Sequence, residues 1–269
     1  MIKKLYASDM DGTFLREDHS FDKERFRRLL DRFKEKGYLF VAASGRSLLS
    51  LKMVFEDFVD EIAFVAENGS IVEYQGQVIF MDESIPSEVY LPLIAGIDAG
   101  PYGSSRSMVL SGLENFYLLK NAEPRFLEAM TSYYAHFHLV DSFKEVEEDI
   151  IKINARFSPE EMDAARQWLN DTFEGVTAMT TGFDNIDIIL SGSNKAVGLQ
   201  HLCRHFGLSG QEVVAFGDNQ NDLDMLAFAG YAIATENARA DVKALVDQVI
   251  GHCNDEAVLT YLEEEVNGN

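Results

Sequence analysis

The sequence predicts an α/β fold, a Rossmann-like parallel-sheet core carrying an inserted α+β module. Three observations carry that prediction. Apolar runs of strand length alternate with amphipathic helical stretches at both ends of the chain, the pattern of a parallel sheet covered by helices. Those runs are continuous rather than alternating, as in strands buried on both faces. The rhythm breaks between them, where Pro86, Pro92, Gly96, Gly100, Pro101 and Gly103 interrupt the chain. The expected division is therefore a core of residues 1–83 and 186–269 around an insertion of residues 84–185.

Residues 5–8 read as a buried strand ending at a polar turn. A helix is expected over 22–36, with Phe26, Leu29, Leu30 and Phe33 at helical spacing and Gly37 as its stop. Residues 38–43 form the next strand, a helix opens near Ser47, and residues 62–66 form a third strand. The runs 71–74 and 78–81 flank Gln75-Gly76-Gln77 as a hairpin. In the insertion, short strands are expected at 107–110, 115–119, 137–140 and 150–157. A helix follows Ser158, with Pro159 in its first turn and Glu161 completing a capping box. The core then resumes with strand 186–190, helix 195–206, strand 213–216, a helix from Asp222, strand 231–234 and a last helix over 255–266.

The 269 residues hold 46% hydrophobic and 25% charged side chains, enough for a full core. Lys and Arg number 23 and Asp and Glu 45, a formal net charge of -22. That surface repels nucleic acid and anionic lipid, so neither is an expected partner. Residues 1–5 run into Asp9 and Asp11 too soon for a signal peptide, and no stretch is apolar enough to span a bilayer. Cys203 and Cys253 imply no disulfide framework. A cytoplasmic protein with no obligate protein partner is the expectation. Any site for an anionic metabolite must then supply its own local positive charge.

Four motifs fall where a strand end meets a helix start. In Asp9-Met10-Asp11-Gly12-Thr13 the two carboxylates share a face of an extended segment, and Gly12 lets the chain turn. A turn accounts for Asp11-Gly12 but not for Asp9, and two such carboxylates call for a hard cation such as Mg²⁺. Ser44-Gly45-Arg46 offers a hydroxyl and backbone N–H groups to an anion, or simply a helix cap. Gly217-Asp218-Asn219-Gln220-Asn221-Asp222 is dense in oxygen ligands and serves equally as a helix cap. Lys195, at a helix start, is by itself an ordinary surface lysine. In a parallel sheet all four points converge on one edge, where together they form a phosphate-plus-metal site.

With these motifs in order, the chain resembles the haloacid dehalogenase (HAD) superfamily of phosphohydrolases, and within it the Cof-type sugar phosphatases, over its whole length. Glu67-Asn68-Gly69 and Asp187 also resemble subfamily positions. Phe14 stands where leucine is common, Ala196 where a glycine commonly follows the lysine, and Asp187 where glutamate is expected. The resemblance implies an HAD-like core with a cap, and Mg²⁺-dependent hydrolysis of a small phosphorylated metabolite, with sugar phosphates the expected class. Asp9 would be the nucleophile and Asp11 the general acid and base, its pKa raised for the first role. Mg²⁺ would lie on the Asp9 carboxylate, the Asp11 backbone carbonyl and the Asp218 carboxylate, with Asp222 supporting from behind. Met10 and Gly45 backbone N–H groups, Ser44, Lys195 and Asn221 would hold the phosphoryl oxygens, and Arg46 would border the substrate or pair with a surface carboxylate. The 96–107 loop, with Arg106, is a candidate contact for the leaving group or a mobile surface loop. A sugar phosphomutase on the same scaffold, or a phosphate-ester-binding regulator without turnover, are the alternatives.

Other features carry less. His136-x-His138 has no third ligand, and His201 and His205 lack the glutamate of a zinc-protease helix. Cys203, followed by Arg204, reads as core. Trp168 belongs to a buried helix stripe with Met162 and Ala165, and Glu263-Glu264-Glu265 reads as a solvated face. Neither a P-loop nor a dinucleotide glycine fingerprint is present.

Overall fold

The computed structural model of the chain describes residues 1–133, 137–180 and 184–268. In chain order the elements are β1 (Lys4–Ser8), α1 (Lys23–Lys36), β2 (Tyr38–Ala43), α2 (Leu48–Val54), β3 (Ala63–Ala66), β4 (Ile71–Tyr74) and β5 (Gln77–Met81). Then come α3 (Ser87–Ala99), β6 (Met108–Gly112), β7 (Phe116–Leu119), α4 (Pro124–Tyr133), β8 (His138–Val140), β9 (Ile150–Arg156), α5 (Met162–Thr172), β10 (Val176–Thr180) and β11 (Asn185–Leu190). The chain closes with α6 (Lys195–Phe206), β12 (Val213–Gly217), α7 (Leu223–Phe228), β13 (Tyr231–Ala234), α8 (Ala240–Leu245), β14 (Gln248–Val249) and α9 (Ala257–Asn267). Two compact units result, Met1–Met81 with Asn194–Asn269, and Asp82–Ser193.

The first unit holds an eight-stranded sheet in the order β14-β13-β12-β1-β2-β3-β4-β5. Its strands are parallel from β14 to β3, and β4 and β5 extend it as an antiparallel hairpin. β1 lies between β12 and β2, so the chain ends of all three strands share one edge. On one side Leu5, Ala7, Val41, Val65 and Ala215 pack with Leu199 and Leu202 of α6. Elsewhere Phe14 joins an aromatic cluster with Phe21, Phe26, Phe40 and Phe55, its ring centroids 5.0–5.9 Å from theirs. That packing accounts for a phenylalanine where leucine is common. α1 is capped as its sequence predicts: Asp22 accepts from the Arg25 N–H, and Gly37 closes the helix in the left-handed region at φ 74°.

The second unit is a six-stranded sheet, β10-β11-β9-β6-β7-β8, antiparallel except for β7 with β8. Ile153, Ala155, Ile186 and Ile188 pack on one face with Leu93, Ile97, Ala165 and Leu169 from α3 and α5. The strand at 186–190 corrects the expected boundary: it pairs with β9 and β10, so this unit runs on to Ser193. Its Asn185-Ile186-Asp187-Ile188 alternation suits a sheet with one apolar and one polar face. The buried Asp187 accordingly accepts from Asn154 Nδ2 (2.7 Å) and pairs with Lys152 (3.4 Å).

Residues 87–99 are helical although Pro92 and Gly96 read as breakers, so the expected 96–107 loop is shorter than drawn. Gly96 is a packing residue, since a Cβ there would sit 2.6 Å from Phe173 Cζ. Arg106 lies in a short turn, Ser105–Ser107, and donates to the Asn121 carbonyl (2.8 Å). The predicted capping box at Ser158 does not form. Ser158 donates its hydroxyl to Glu161 (2.6 Å), and Pro159–Glu161 is a 3₁₀ turn leading into α5. The Glu263–Glu265 run is not simply solvated: Glu263 pairs with Arg25 (2.6 Å), and Tyr6 donates to Glu265 (2.8 Å). His201 stacks on Phe80, Trp168 packs against Tyr102 and Phe173, and Cys203 is buried. His138 Nε2 lies 2.9 Å from Asn115 Oδ1, while His136 lies outside the described residues. Among the described residues no helix is long and apolar enough to cross a membrane.

Candidate active site

The site lies wholly in the first unit, at the edge where β1, β2 and β12 end. Asp9 continues the parallel pairing beyond β1, its N–H donating to the Phe216 carbonyl at 2.9 Å. Asp218 follows β12 directly, and Lys195 opens α6, which Asn194 caps by accepting from Val197 N–H. Lys195 is fully buried. Its Nζ donates to Asp9 Oδ1 at 2.5 Å and to Asp222 Oδ1 at 2.6 Å. Asp222 Oδ2 accepts from the Asp218 and Asn219 N–H groups at 2.9 and 3.0 Å. Both Asp222 oxygens are thus engaged in holding the lysine and shaping the loop.

Asp9, Asp218 and Asp222 each offer a carboxylate oxygen, all within 4.8 Å of one another. Three carboxylates against one ammonium leave an excess of negative charge in a buried place. Burial pushes the Asp9 pKa up, Lys195 pulls it down, and Asp222, Asp218 and Asp11 push it up again, leaving it well above the carboxylate range. Asp218 is pushed up to about 7, by burial first and then by Asp222. Lys195 stays protonated: burial opposes its charge, but Asp222 and Asp9 outweigh burial and raise its pKa. An all-oxygen, over-negative, buried cluster is what a hard divalent cation relieves, so these residues fit Mg²⁺.

Neighbouring groups fix the carboxylates. Thr13 donates to Asp218 Oδ1 at 2.8 Å. Gly12 turns at φ 84°, and a Cβ there would lie 2.6 Å from Asp218 Oδ2, so both conformation and space require glycine. The Gly12 carbonyl accepts from Thr235 Oγ1 (3.1 Å) and Asn237 Nδ2 (2.6 Å). The Glu67-Asn68-Gly69 turn ties two motif loops together. Its N–H groups donate to the Arg46 and Ser44 carbonyls (both 3.0 Å), and Asn68 Oδ1 accepts from Asn221 Nδ2 at 3.0 Å. A Cβ on Gly69 would meet the Asn194 carbonyl at 2.0 Å, and one on Gly198 would meet Val65 at 2.5 Å. The close approach of α6 is therefore made at Gly69 and Gly198, and Ala196 is simply buried.

Two expectations change. Ser44 does not open a helix: Ser47 caps α2, and Ser44 Oγ accepts from the Arg46 N–H at 3.2 Å. Asp11 does not carry a raised pKa in this arrangement. Burial pushes it up, but hydrogen bonds from His19 and Arg46 and their charge outweigh burial and hold it well below the carboxylate range. Arg46 Nε donates to Asp11 Oδ2 at 2.7 Å and Nη2 to Oδ1 at 2.5 Å, so Arg46 lies beside a motif carboxylate. Met10 is buried with its carbonyl accepting from Leu15 N–H (2.8 Å), and Gly45 is half-buried. The structure thus joins Asp9, Lys195, Asp218 and Asp222 in one cluster, Asp11 with Arg46, and Asn221 with Asn68. Sequence reasoning missed His19, Thr13, Thr235 and Asn237. Thr13 stood inside a motif already singled out, whereas the others carry no local signal.

An α/β core with its acidic and cationic groups gathered at the carboxyl ends of parallel strands defines an α/β protein with a charged ligand site at its sheet edge. The family of haloacid dehalogenase-like hydrolases matches residues 6–262, and the chain belongs to it. It is 32% identical to the 5-amino-6-(5-phospho-D-ribitylamino)uracil phosphatase YbjI of Escherichia coli (strain K12), over 98% of this chain and 96% of that one. It is 27% identical to an HMP-PP phosphatase of Cronobacter sakazakii, over 97% and 95%. Among solved structures, SMU.1108c from Streptococcus mutans UA159 superposes with a TM-score of 0.92 at 28% identity, covering 99% of this chain and 100% of that one. The HAD subclass IIB sugar phosphatase BT4131 shares the fold, with a TM-score of 0.79 at 21% identity over 97% and 98%. The chain is a phosphoric monoester hydrolase.

Proposed function

We propose that this hydrolase removes phosphate from small phosphorylated metabolites by way of an aspartyl-phosphate on Asp9, with Mg²⁺ as its cofactor. The observation that carries this reading is the buried Asp9 carboxylate, 2.5 Å from Lys195 Nζ and beside Asp218 and Asp222. A carboxylate so placed is a nucleophile whose repulsion from a phosphate dianion must be neutralised locally. Lys195 supplies one charge. Mg²⁺, held by the Asp9 and Asp218 carboxylates and the Asp11 backbone carbonyl, would supply the rest, which fits the fact that both Asp222 oxygens are already engaged.

Asp9 attacks phosphorus, and the alcohol leaves with a proton from Asp11. Asp11 then takes a proton from the water that attacks the aspartyl-phosphate. Ser44, the Met10 and Gly45 N–H groups, Lys195 and Asn221 hold the phosphoryl oxygens. Asn221 leaves its bond to Asn68 for this, or shares it. The first proton transfer requires the Asp11–Arg46 pair to loosen when substrate enters. The second unit serves as the cap that sets substrate choice. Sugar and polyol phosphates are the proposed class, since the Escherichia coli relative is named for a phosphoribitylamino compound. The acidic surface and the cysteine usage suit the cytoplasm.

Asp9→Asn should abolish Mg²⁺-dependent release of phosphate from p-nitrophenyl phosphate and from a panel of sugar, nucleotide, flavin and pyridoxal phosphates. Turnover retained in that variant overturns the reading. Phosphorylated sugar isomers without free phosphate would show a mutase instead.

A further inference from the structure

Asp11 is gripped from two sides. Arg46 offers a fork to both oxygens, at 2.7 and 2.5 Å. His19 brings Nδ1 to 3.1 Å from Asp11 Oδ1 and 3.0 Å from Arg46 Nη2. His19 belongs to a built turn. It sits in the left-handed region at φ 62°, a conformation that non-glycine residues seldom adopt. The turn is closed by His19 N–H to the Arg16 carbonyl (2.8 Å) and Arg16 N–H to the Ser20 carbonyl (3.0 Å). Asp18 Oδ1 accepts from both the N–H and the hydroxyl of Ser20, and the Arg16 guanidinium is anchored on Glu256 at 2.9 Å. The His19 side chain is 41% exposed. Its contact with Asp11 ties this half-exposed side chain to the site.

Each carboxylate oxygen has two in-plane lone pairs. With its proton on Nδ1, His19 donates to Asp11 Oδ1 beside Arg46 Nη2, so both lone pairs of that oxygen are addressed in this arrangement. Arg46 only donates, so Nη2 then makes no hydrogen bond to Nδ1, and the His19 bond stays when the Arg46 pair loosens. Oδ2 meets Arg46 Nε alone among these donors. We propose that His19 is a positioning residue for Asp11: its Nδ1–H occupies Oδ1 and leaves Oδ2 as the oxygen that exchanges a proton with the substrate. The inference rests on the reading of Asp11 as the acid and base. As Asp9 forms its bond to phosphorus, the bond from phosphorus to the alcohol oxygen breaks, and its electron pair stays on that oxygen. The proton on Asp11 Oδ2 moves to it. In the second half-reaction water forms a bond to phosphorus and gives a proton back to Oδ2, and the bond from phosphorus to Asp9 breaks. Without His19 the carboxyl turns more freely about its terminal torsion, and the proton is presented at Oδ2 less often.

The test is the dependence of kcat/KM on the leaving group, which reports the step up to alcohol release. p-Nitrophenyl phosphate departs without needing a proton, whereas phenyl phosphate and a sugar phosphate turned over by the parent enzyme need one. His19→Ala should lower kcat/KM roughly 10-fold for the sugar phosphate, at the lower edge of general-acid effects, and less than about two-fold for p-nitrophenyl phosphate. Phenyl phosphate should fall between. His19→Asn, which returns an N–H donor on a shorter side chain, should recover part of the loss. Equal falls on all three esters, or no fall on any, overturn the proposal. Asp11→Asn is the reference. A steep leaving-group dependence there with none in His19→Ala refutes only the role of His19, while none in Asp11→Asn refutes the reading of Asp11 itself.

Discussion

Lys195 is the residue on which the charge balance of the site turns, because it is fully buried between two carboxylates. Lys195→Met keeps most of the volume and removes the charge, leaving Asp9 and Asp222 without their cation. Breaking a buried ion pair on one side costs about 3–5 kcal/mol, and urea unfolding of the metal-free protein at neutral pH should show a loss of that size. The loss should shrink as pH falls, because Asp9 is already pushed towards protonation by burial and its acidic neighbours. A difference below about 1 kcal/mol at neutral pH would mean that the carboxylates discharge by taking up protons there. At this scale the sequence was readable wherever chemistry coincided with chain punctuation. Asp9, Asp11 and Asp218 each follow an apolar run, and Lys195 follows a capping asparagine. His19 and Asn237 were unreadable because their meaning lies in partners 8 and 225 residues away, Asp11 and the Gly12 carbonyl. The pairing of Asp11 with Arg46 was unreadable for the same reason, since nothing local announces that Arg46 reaches it.

Elements were legible where their periodicity was clean, and hidden where a side chain served packing rather than local propensity. β2, β12 and α1 stand close to their expected bounds. α3 was obscured because Gly96 reads as a breaker, although its role is to admit the Phe173 ring. β11 was expected to resume the core, whereas its apolar–polar alternation suits the antiparallel sheet in which it pairs with β9 and β10. The β6–β7 hairpin shows how one charged side chain can hold an element. Glu148 accepts from Glu114 N–H (2.6 Å), Asn115 Nδ2 (3.1 Å) and Tyr117 OH (2.7 Å). Burial pushes the Glu148 pKa up, but these three donors outweigh it and hold the group below its ordinary value. Across the same contact the Tyr117 hydroxyl is pushed up to about 12, by burial first and then by Glu148. A carboxyl depressed on folding stabilises above its unfolded pKa and loses that contribution as pH falls through the folded value. Glu148→Gln should therefore lower stability at pH 7 by about 1 kcal/mol, the modest figure that suits a partly exposed group. The gap in thermal midpoint between variant and parent should narrow and close as pH falls below the ordinary carboxylate range. A gap unchanged with pH would mean that the hairpin depends on shape and not on charge.

At the scale of the whole molecule the governing quantity is the net charge of -22, and it sets a conflict that the site must resolve. A phosphate ester approaches a surface of its own sign, and only close to the sheet edge does it meet Lys195, Arg46 and the proposed Mg²⁺. The long-range and short-range fields therefore oppose each other, and salt separates them. Raising ionic strength from about 0.01 to 0.15 M shortens the screening length from about 30 Å to about 8 Å. That change removes most of the repulsion from distant carboxylates and leaves the contacts at 2.5–2.9 Å largely intact. With Mg²⁺ held constant, kcat/KM for a dianionic ester should rise by a factor of a few over this range while kcat stays nearly level, because encounter is eased and the bound geometry is unchanged. Most enzymes that steer anions with a positive surface show the opposite slope. A fall in kcat/KM with salt would mean that the local cations already dominate the field at the distance where substrate commits to binding, and that the acidic surface is electrically remote from the site.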